Sequence, residues 1–199
     1  MCYSILMAHP VRWLLCVGVA CLLTQCATFH SDNDWKFAVD NQVHNLGYRN
    51  WIVIAEASFP AHHGQGIKQV AAPIEVPEAV DYVLRSLERT ENLRPTIYLP
   101  RELRSVENDF APGIDAMRET LQQSMHGHEP TEIDQQALLT LIEDANRSFT
   151  VLVIRTRTAL PYTSVFMELQ PGYWDSQSES HLRKRIQNER MLRLVRPPS

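Results

Sequence analysis

With 199 residues and 44% apolar side chains, the chain is long enough to bury one sizeable core but gives no reason to expect several domains. Its formal net charge of −4 excludes a broadly basic protein, and nucleic acid is not an expected partner. All four cysteines (Cys2, Cys16, Cys21 and Cys26) lie at the start, so the rest of the chain has no disulfide framework and must be held by its own core.

The chain opens with Arg12 followed by an apolar run from Trp13 to Leu23, then Thr24-Gln25-Cys26 and a polar stretch from His30 to Asp34. That run is short for a membrane span and fits the core of a signal peptide. Leu23-Thr24-Gln25-Cys26 resembles a lipoprotein processing box, with Gln25 where a small residue is usual. The expectation is an exported chain of the periplasm or cell envelope. Residues 1–26 form its targeting segment and Cys26 is the candidate lipidation site; simple secretion and an uncleaved anchor are the alternatives.

After that segment, Trp35, Val39, Val43 and Leu46 recur at helical spacing, with Ser31 or Asp32 placed to cap the helix and Gly47 to end it. Trp51-Ile52-Val53-Ile54-Ala55 is continuously apolar and β-branched in its middle, as expected for a strand covered on both faces. Glu56 stands at its end, Phe59-Pro60 closes it, and the glycines of Ala61 to Gly66 indicate a loop. A short segment, Ile67 to Ala72, has no clear assignment.

Pro77 opens a helix whose Val80, Val83, Leu84 and Leu87 form one stripe. Thr96 to Leu99 suits a strand, and Asp115 to Ser124 a helix built on Ile114, Met117 and Leu121. Thr131 with Asp134 resembles a capping box for a further helix through Leu138, Leu141 and Ile142. Thr150 to Ile154 and Val165 to Leu169 suit two more strands. Alternating strands and helices imply an α/β layer fold. From Ser176 a last helix should turn Leu182 and Ile186 inward, with Arg183, Lys184, Arg185, Arg190, Arg193 and Arg196 mostly outward. That basic face is either simply solvated or in contact with anionic lipid.

Two segments resemble motifs of the ribose pyranase and fucose mutarotase (RbsD/FucU) family. Leu46-Gly47-Tyr48, then Ile52 to Ala55, Glu56-Ala57-Ser58 and Phe59-Pro60, is similar to its first motif, a Gly-His followed by a strand ending in Ala-Asp-Ala and Phe-Pro. Val153-Ile154-Arg155-Thr156, then Pro161-Tyr162-Thr163-Ser164, is similar to its second, an Arg-Thr turn leading to Pro-Tyr-x-Asn. The likeness runs from about residue 31 to 172; the domain is taken as 27–175 and the basic tail as 176–199.

The resemblance implies a layered α/β domain with a mainly parallel central sheet flanked by helices. It also implies ring-like homo-oligomers whose sugar site is shared with a neighbouring subunit, and interconversion of the cyclic forms of a free monosaccharide without metal or organic cofactor. Such chemistry needs a base for the anomeric hydroxyl, an acid for the ring oxygen and donors to orient the opened sugar. Glu56 occupies the family's aspartate position and Tyr162 its tyrosine, so these two are the candidate catalytic residues. Tyr48 occupies the histidine position and Ser164 that of the asparagine. With Arg155 and Arg157 they are the candidate substrate-binding residues.

Each of these side chains also has a plainer reading. Glu56 can be an ion-pair partner of Arg49, Arg155 or Arg157, and the two later arginines can be neutralised by Glu56 or Glu168. Tyr48 and Tyr162 can simply bury their rings. His62-His63 and His126-Gly127-His128 lack the companions of a coordination set, and no metal site is expected. Three functions remain open: an envelope-anchored mutarotase, a non-catalytic binder of a saccharide or other small ligand, and a structural lipoprotein.

Overall fold

The strand expected at Trp51–Ala55 (β1) forms with all five residues buried, and alternation sends them to two different cores. Ile52 and Ile54 enter one, Trp51, Val53 and Ala55 the other. Val151–Arg155 (β5) and Val165–Pro171 (β6) split in the same way: Leu152, Ile154, Val165 and Met167 share the first core, Val151, Val153 and Phe166 the second. A strand apolar at every position reads this way because both of its faces are covered. The structure, a computed structural model, describes residues 34–60 and 64–195. The expected targeting segment, Cys26 and His62-His63 fall outside these residues.

Three further strands, Ile67–Ala71 (β2), Leu93–Pro100 (β3) and Thr131–Ile133 (β4), complete a six-stranded sheet in the order β2-β5-β1-β6-β3-β4. β1 and β2 run parallel to β5, β4 runs parallel to β3, and β6 is antiparallel to both β1 and β3. Five strands therefore share one direction and β6 opposes them, so the sheet is mainly parallel and the fold is α/β, as expected.

Helices Asp34–Val43 (α1), Val76–Glu88 (α2) and Ile114–Ser124 (α3) supply Trp35, Val39, Val80, Leu84, Ile114 and Leu121 to the first core. Gln135–Asn146 (α4) covers the opposite face with Leu138 and Ile142. Asp40 fastens α1 to α2, accepting hydrogen bonds from Tyr82 (2.8 Å), Ser86 (2.7 Å) and Arg89 (3.2 Å). The ring of Tyr82 meets Trp35 edge-on with centroids 4.9 Å apart.

Two segments differ from the sequence reading. Ile67–Ala71 is an edge strand; with three of its five residues exposed it lacks the apolar run that marked β1 and β5. Thr131 is no capping residue but the first residue of β4, paired with Tyr98. Asp134 alone caps α4, its carboxylate accepting from the N–H groups of Gln136 and Ala137. The final helix, Ser176–Val195 (α5), forms where expected, and Leu182 and Ile186 are its half-buried apolar residues while Met191 and Leu192 are exposed.

Candidate functional site

Because β6 opposes β1, the start of β6 lies beside the end of β1, with Ile54 paired to Val165. The loop from Arg155 to Ser164 therefore closes over the carboxyl ends of β1 and β5. That edge is where ligands commonly bind in open α/β sheets. Glu56, the first residue after β1, meets this loop.

The Glu56 carboxylate is held by neutral donors. One oxygen accepts from the Ser58 hydroxyl at 3.0 Å and the other from the Thr163 N–H at 3.1 Å, while the Thr163 hydroxyl gives its single proton to the Leu160 carbonyl at 2.9 Å. The Glu56 N–H donates to the buried Ser164 hydroxyl at 3.1 Å. Among the described residues Glu56 makes no ion pair, so the plain salt-bridge reading does not hold. Its half-exposed carboxylate is instead oriented without being neutralised.

Tyr162 immediately precedes Thr163, with its backbone in the left-handed region at φ 59°. For a residue other than glycine this conformation costs on the order of 1 kcal/mol or more, and such strain gathers at functional sites. Its ring packs against the first core, while among the described residues its hydroxyl makes no hydrogen bond. This half-buried phenol stands one residue before Thr163, whose N–H orients the Glu56 carboxylate.

The loop carrying Tyr162 is itself clamped. Thr156 donates to the Ala55 carbonyl through both its N–H and its hydroxyl, each at 2.8 Å. Thr158 is buried; its hydroxyl donates to Glu75 at 2.5 Å and accepts from the Val76 N–H at 2.8 Å, tying the loop to the start of α2. Arg157 pairs with the other Glu75 oxygen at 2.9 Å. The Thr158 hydrogen bond first, then Arg157, outweigh burial and hold the Glu75 carboxyl below its ordinary value.

The remaining expected site residues separate by role. Arg157 is committed to Glu75, rather than to Glu56, Glu168 or a ligand. Arg155 makes no ion pair among the described residues; it donates to the Ala57 carbonyl at 3.3 Å. Ser164 supports the Glu56 backbone from a buried position. Tyr48 precedes β1, so within one chain it lies at the opposite end of a five-residue strand from Glu56, roughly 17 Å away at about 3.3 Å per residue. Thr163 and Ser58, which hold the carboxylate, and Thr158 and Glu75, which hold the loop, went unnoticed in sequence. Short hydroxyl side chains carry no periodic signal, although Thr163 and Ser58 lie inside the two recognised motifs.

Among the described residues no group of three or more histidine, cysteine, aspartate or glutamate side chains is placed to hold a metal ion. No described helix is long and apolar enough to cross a membrane.

No family model and no curated protein matches the sequence. Solved structures do. The chain is similar to RbsD of Bacillus subtilis, solved with D-ribose, at 16% identity over 66% of this chain and 89% of that one, with a TM-score of 0.48. It is similar to the fucose mutarotase of Streptococcus pneumoniae, solved with L-fucose, at 15% identity over 64% and 87% and a TM-score of 0.43. It is likewise similar to FucU of Bifidobacterium longum at 13% identity over 64% and 89% and a TM-score of 0.42.

Proposed function

We propose that the protein is a mutarotase-like isomerase that interconverts the cyclic forms of a free monosaccharide, with Glu56 and Tyr162 as its acid–base pair. The observation that carries this reading is the Glu56 carboxylate, in no ion pair among the described residues and oriented by Ser58 and by Thr163, whose preceding residue Tyr162 makes no hydroxyl hydrogen bond among the described residues. Glu56 takes the proton of the anomeric hydroxyl as the bond from the anomeric carbon to the ring oxygen breaks and a carbonyl forms. Tyr162 gives its proton to the departing ring oxygen. Reclosure on the other carbonyl face returns both protons, so neither redox partner nor cofactor enters the balance.

Arg155 steers hydroxyl groups of the opened sugar in this reading, while Ser164 and Thr163 keep Glu56 in position. Tyr48 can join this site only from a neighbouring copy in an oligomer, since its own chain holds it at the far end of β1. Export, with Cys26 as the lipidated residue, and assembly into a ring belong to the same reading and are supported by the sequence motifs.

Polarimetry of freshly dissolved aldoses tests the activity. Addition of the full chain should speed relaxation of at least one sugar in proportion to protein concentration. Saturable binding of sugars with no change in relaxation would instead support a non-catalytic binder built on this fold.

A further inference from the structure

Helix α5 lies beyond the part of the chain that resembles the RbsD/FucU family, and the proposed activity makes no use of it. Its cations Arg183, Lys184, Arg185, Arg190 and Arg193 share the helix with no carboxylates but Glu179 and Glu189. The whole chain carries a formal charge of −4, so a basic element stands on an otherwise acidic molecule. In the body of the domain Arg85, Arg89, Arg101, Arg104 and Arg157 each meet a carboxylate within 3.5 Å. In α5 Arg183 pairs with Glu179 at 2.6 Å, whereas Lys184, Arg185, Arg190 and Arg193 make no ion pair among the described residues.

The burial of α5 changes along its length. Leu182 and Ile186 are half-buried, but every residue from Gln187 to Arg193 is exposed, including Met191 at 60% and Leu192 at 70%. At about 100° per residue, Lys184 and Met191 point away from the side of Leu182 and Ile186, with Asn188 and Leu192 next to them, while Glu179 and Glu189 fall on that side. The outward face, flanked by Arg183 and Arg185, therefore combines positive charge with apolar side chains and carries no carboxylate. Tyr173 and Trp174 stand exposed just before the helix, and the indole N–H of Trp174 donates to Glu179 at 2.8 Å. Aromatic rings at the foot of a basic helix suit the boundary between water and lipid.

Exposed terminal turns have little of their own to keep them helical in water. A surface that takes up both cations and apolar side chains is one with anionic groups above hydrocarbon. A second α5 would instead bring like charge against like. The proposed lipid anchor at Cys26 puts such a surface within reach, since the chain from there to Asp34 spans at most about 28 Å when fully extended. That proximity rests on the export reading; the charge and exposure of α5 do not. We propose that α5 is a membrane-contact helix, resting on anionic phospholipid headgroups through Lys184, Arg185, Arg190 and Arg193, with Met191 and Leu192 turned toward the acyl boundary.

Hydrogen exchange of the α5 amides tests this, followed by mass spectrometry on the full chain with vesicles of phosphatidylcholine alone or with about 30% phosphatidylglycerol. Each basic residue at an anionic surface adds roughly fivefold to binding, so exchange over residues 183–193 should slow at least about tenfold on the anionic vesicles relative to the neutral ones. Salt at about 0.5 M should reverse the effect. Joint replacement by Lys184→Gln, Arg185→Gln, Arg190→Gln and Arg193→Gln should abolish the slowing while leaving exchange in β1 and β5 unchanged. Three results would overturn the assignment: equal exchange on both vesicles, slowing that survives the four replacements, or slowing in lipid-free solution that grows with protein concentration, which would make α5 a contact between copies. Cys26→Ser, treated alike, separates this proposal from the anchor. Slowing retained in that variant supports α5 whatever the fate of Cys26, and slowing lost there would mean that the helix has no affinity of its own and would overturn the assignment.

Discussion

At the scale of single residues, the site depends on hydroxyl groups that differ in what they already hold. The Tyr162 hydroxyl makes no hydrogen bond among the described residues, so removing it should cost the fold little and the chemistry much. Tyr162→Phe is expected to keep the wild-type melting temperature while lowering the anomeric exchange rate by roughly 10²-fold or more, as loss of a general acid does. A coupled loss of melting temperature and activity would mean that the hydroxyl is structural. Thr158 is the opposite case. Thr158→Val leaves the Val76 N–H unpaired and takes a donor from Glu75, which should cost about 1–3 kcal/mol in urea unfolding.

The sequence made Glu56 and Tyr162 visible because each falls at a matching position of one of the two motifs that carry the family resemblance. It did not reveal what became of Arg157. An arginine two residues from Arg155 looks equally available on paper, and Glu75, its partner, stands 82 residues away in sequence at the mouth of another helix. Pairings of that separation have no local signature. Tyr48 was placed by motif position alone, and motif position does not say at which end of a strand a side chain will act.

At the scale of elements, β1 and β5 were legible because burial on both faces leaves no polar position in the run. β2 and β4 were not: an exposed edge and a three-residue strand carry too few apolar residues to establish a period. A further contact that went unread joins helices α2 and α3. His126, just past α3 with φ 51°, places one ring nitrogen 2.9 Å from Asp81 and the other 3.2 Å from Glu88, and Asp81 also accepts from Arg85. The hydrogen bond to Asp81, then that to Glu88, outweigh burial and raise the imidazole pKa above its ordinary 6.5.

A raised folded pKa means that the staple contributes its full stability below the unfolded value near 6.5 and loses it as pH climbs through the higher folded value. Urea midpoints should therefore decline on going upward from about pH 6.5, and His126→Gln should flatten that decline. A wild-type midpoint unchanged across the same window would show that the two carboxylates do not favour the charged ring.

At the scale of the whole molecule, one sheet presents two ends with different equipment. The carboxyl ends of β1 and β5 carry the oriented carboxylate and free phenol; the amino end of β1 and the exit of β6 carry exposed aromatic rings. The alternation of strands and helices revealed the α/β class and the family resemblance implied a mainly parallel sheet, whereas the reversal of β6, which brings Val165 beside Ile54, depended on tertiary packing. Export is proposed for the full chain. Cys26→Ser should move the protein from the membrane to the soluble fraction of bacterial cells, and an unchanged distribution would exclude Cys26 as the anchor.

The account rests most heavily on Glu56 acting as the base for ring opening. The most direct measurement is saturation-transfer NMR of anomeric exchange across a panel of free aldoses, comparing the full chain with Glu56→Gln, which preserves size and replaces the carboxylate with an amide. Exchange of at least one sugar accelerated by the wild type and returned to the uncatalysed rate by the variant is the predicted result. Acceleration that persists undiminished in Glu56→Gln would contradict the assignment of the base, and no acceleration of any aldose would contradict the isomerase reading for those sugars.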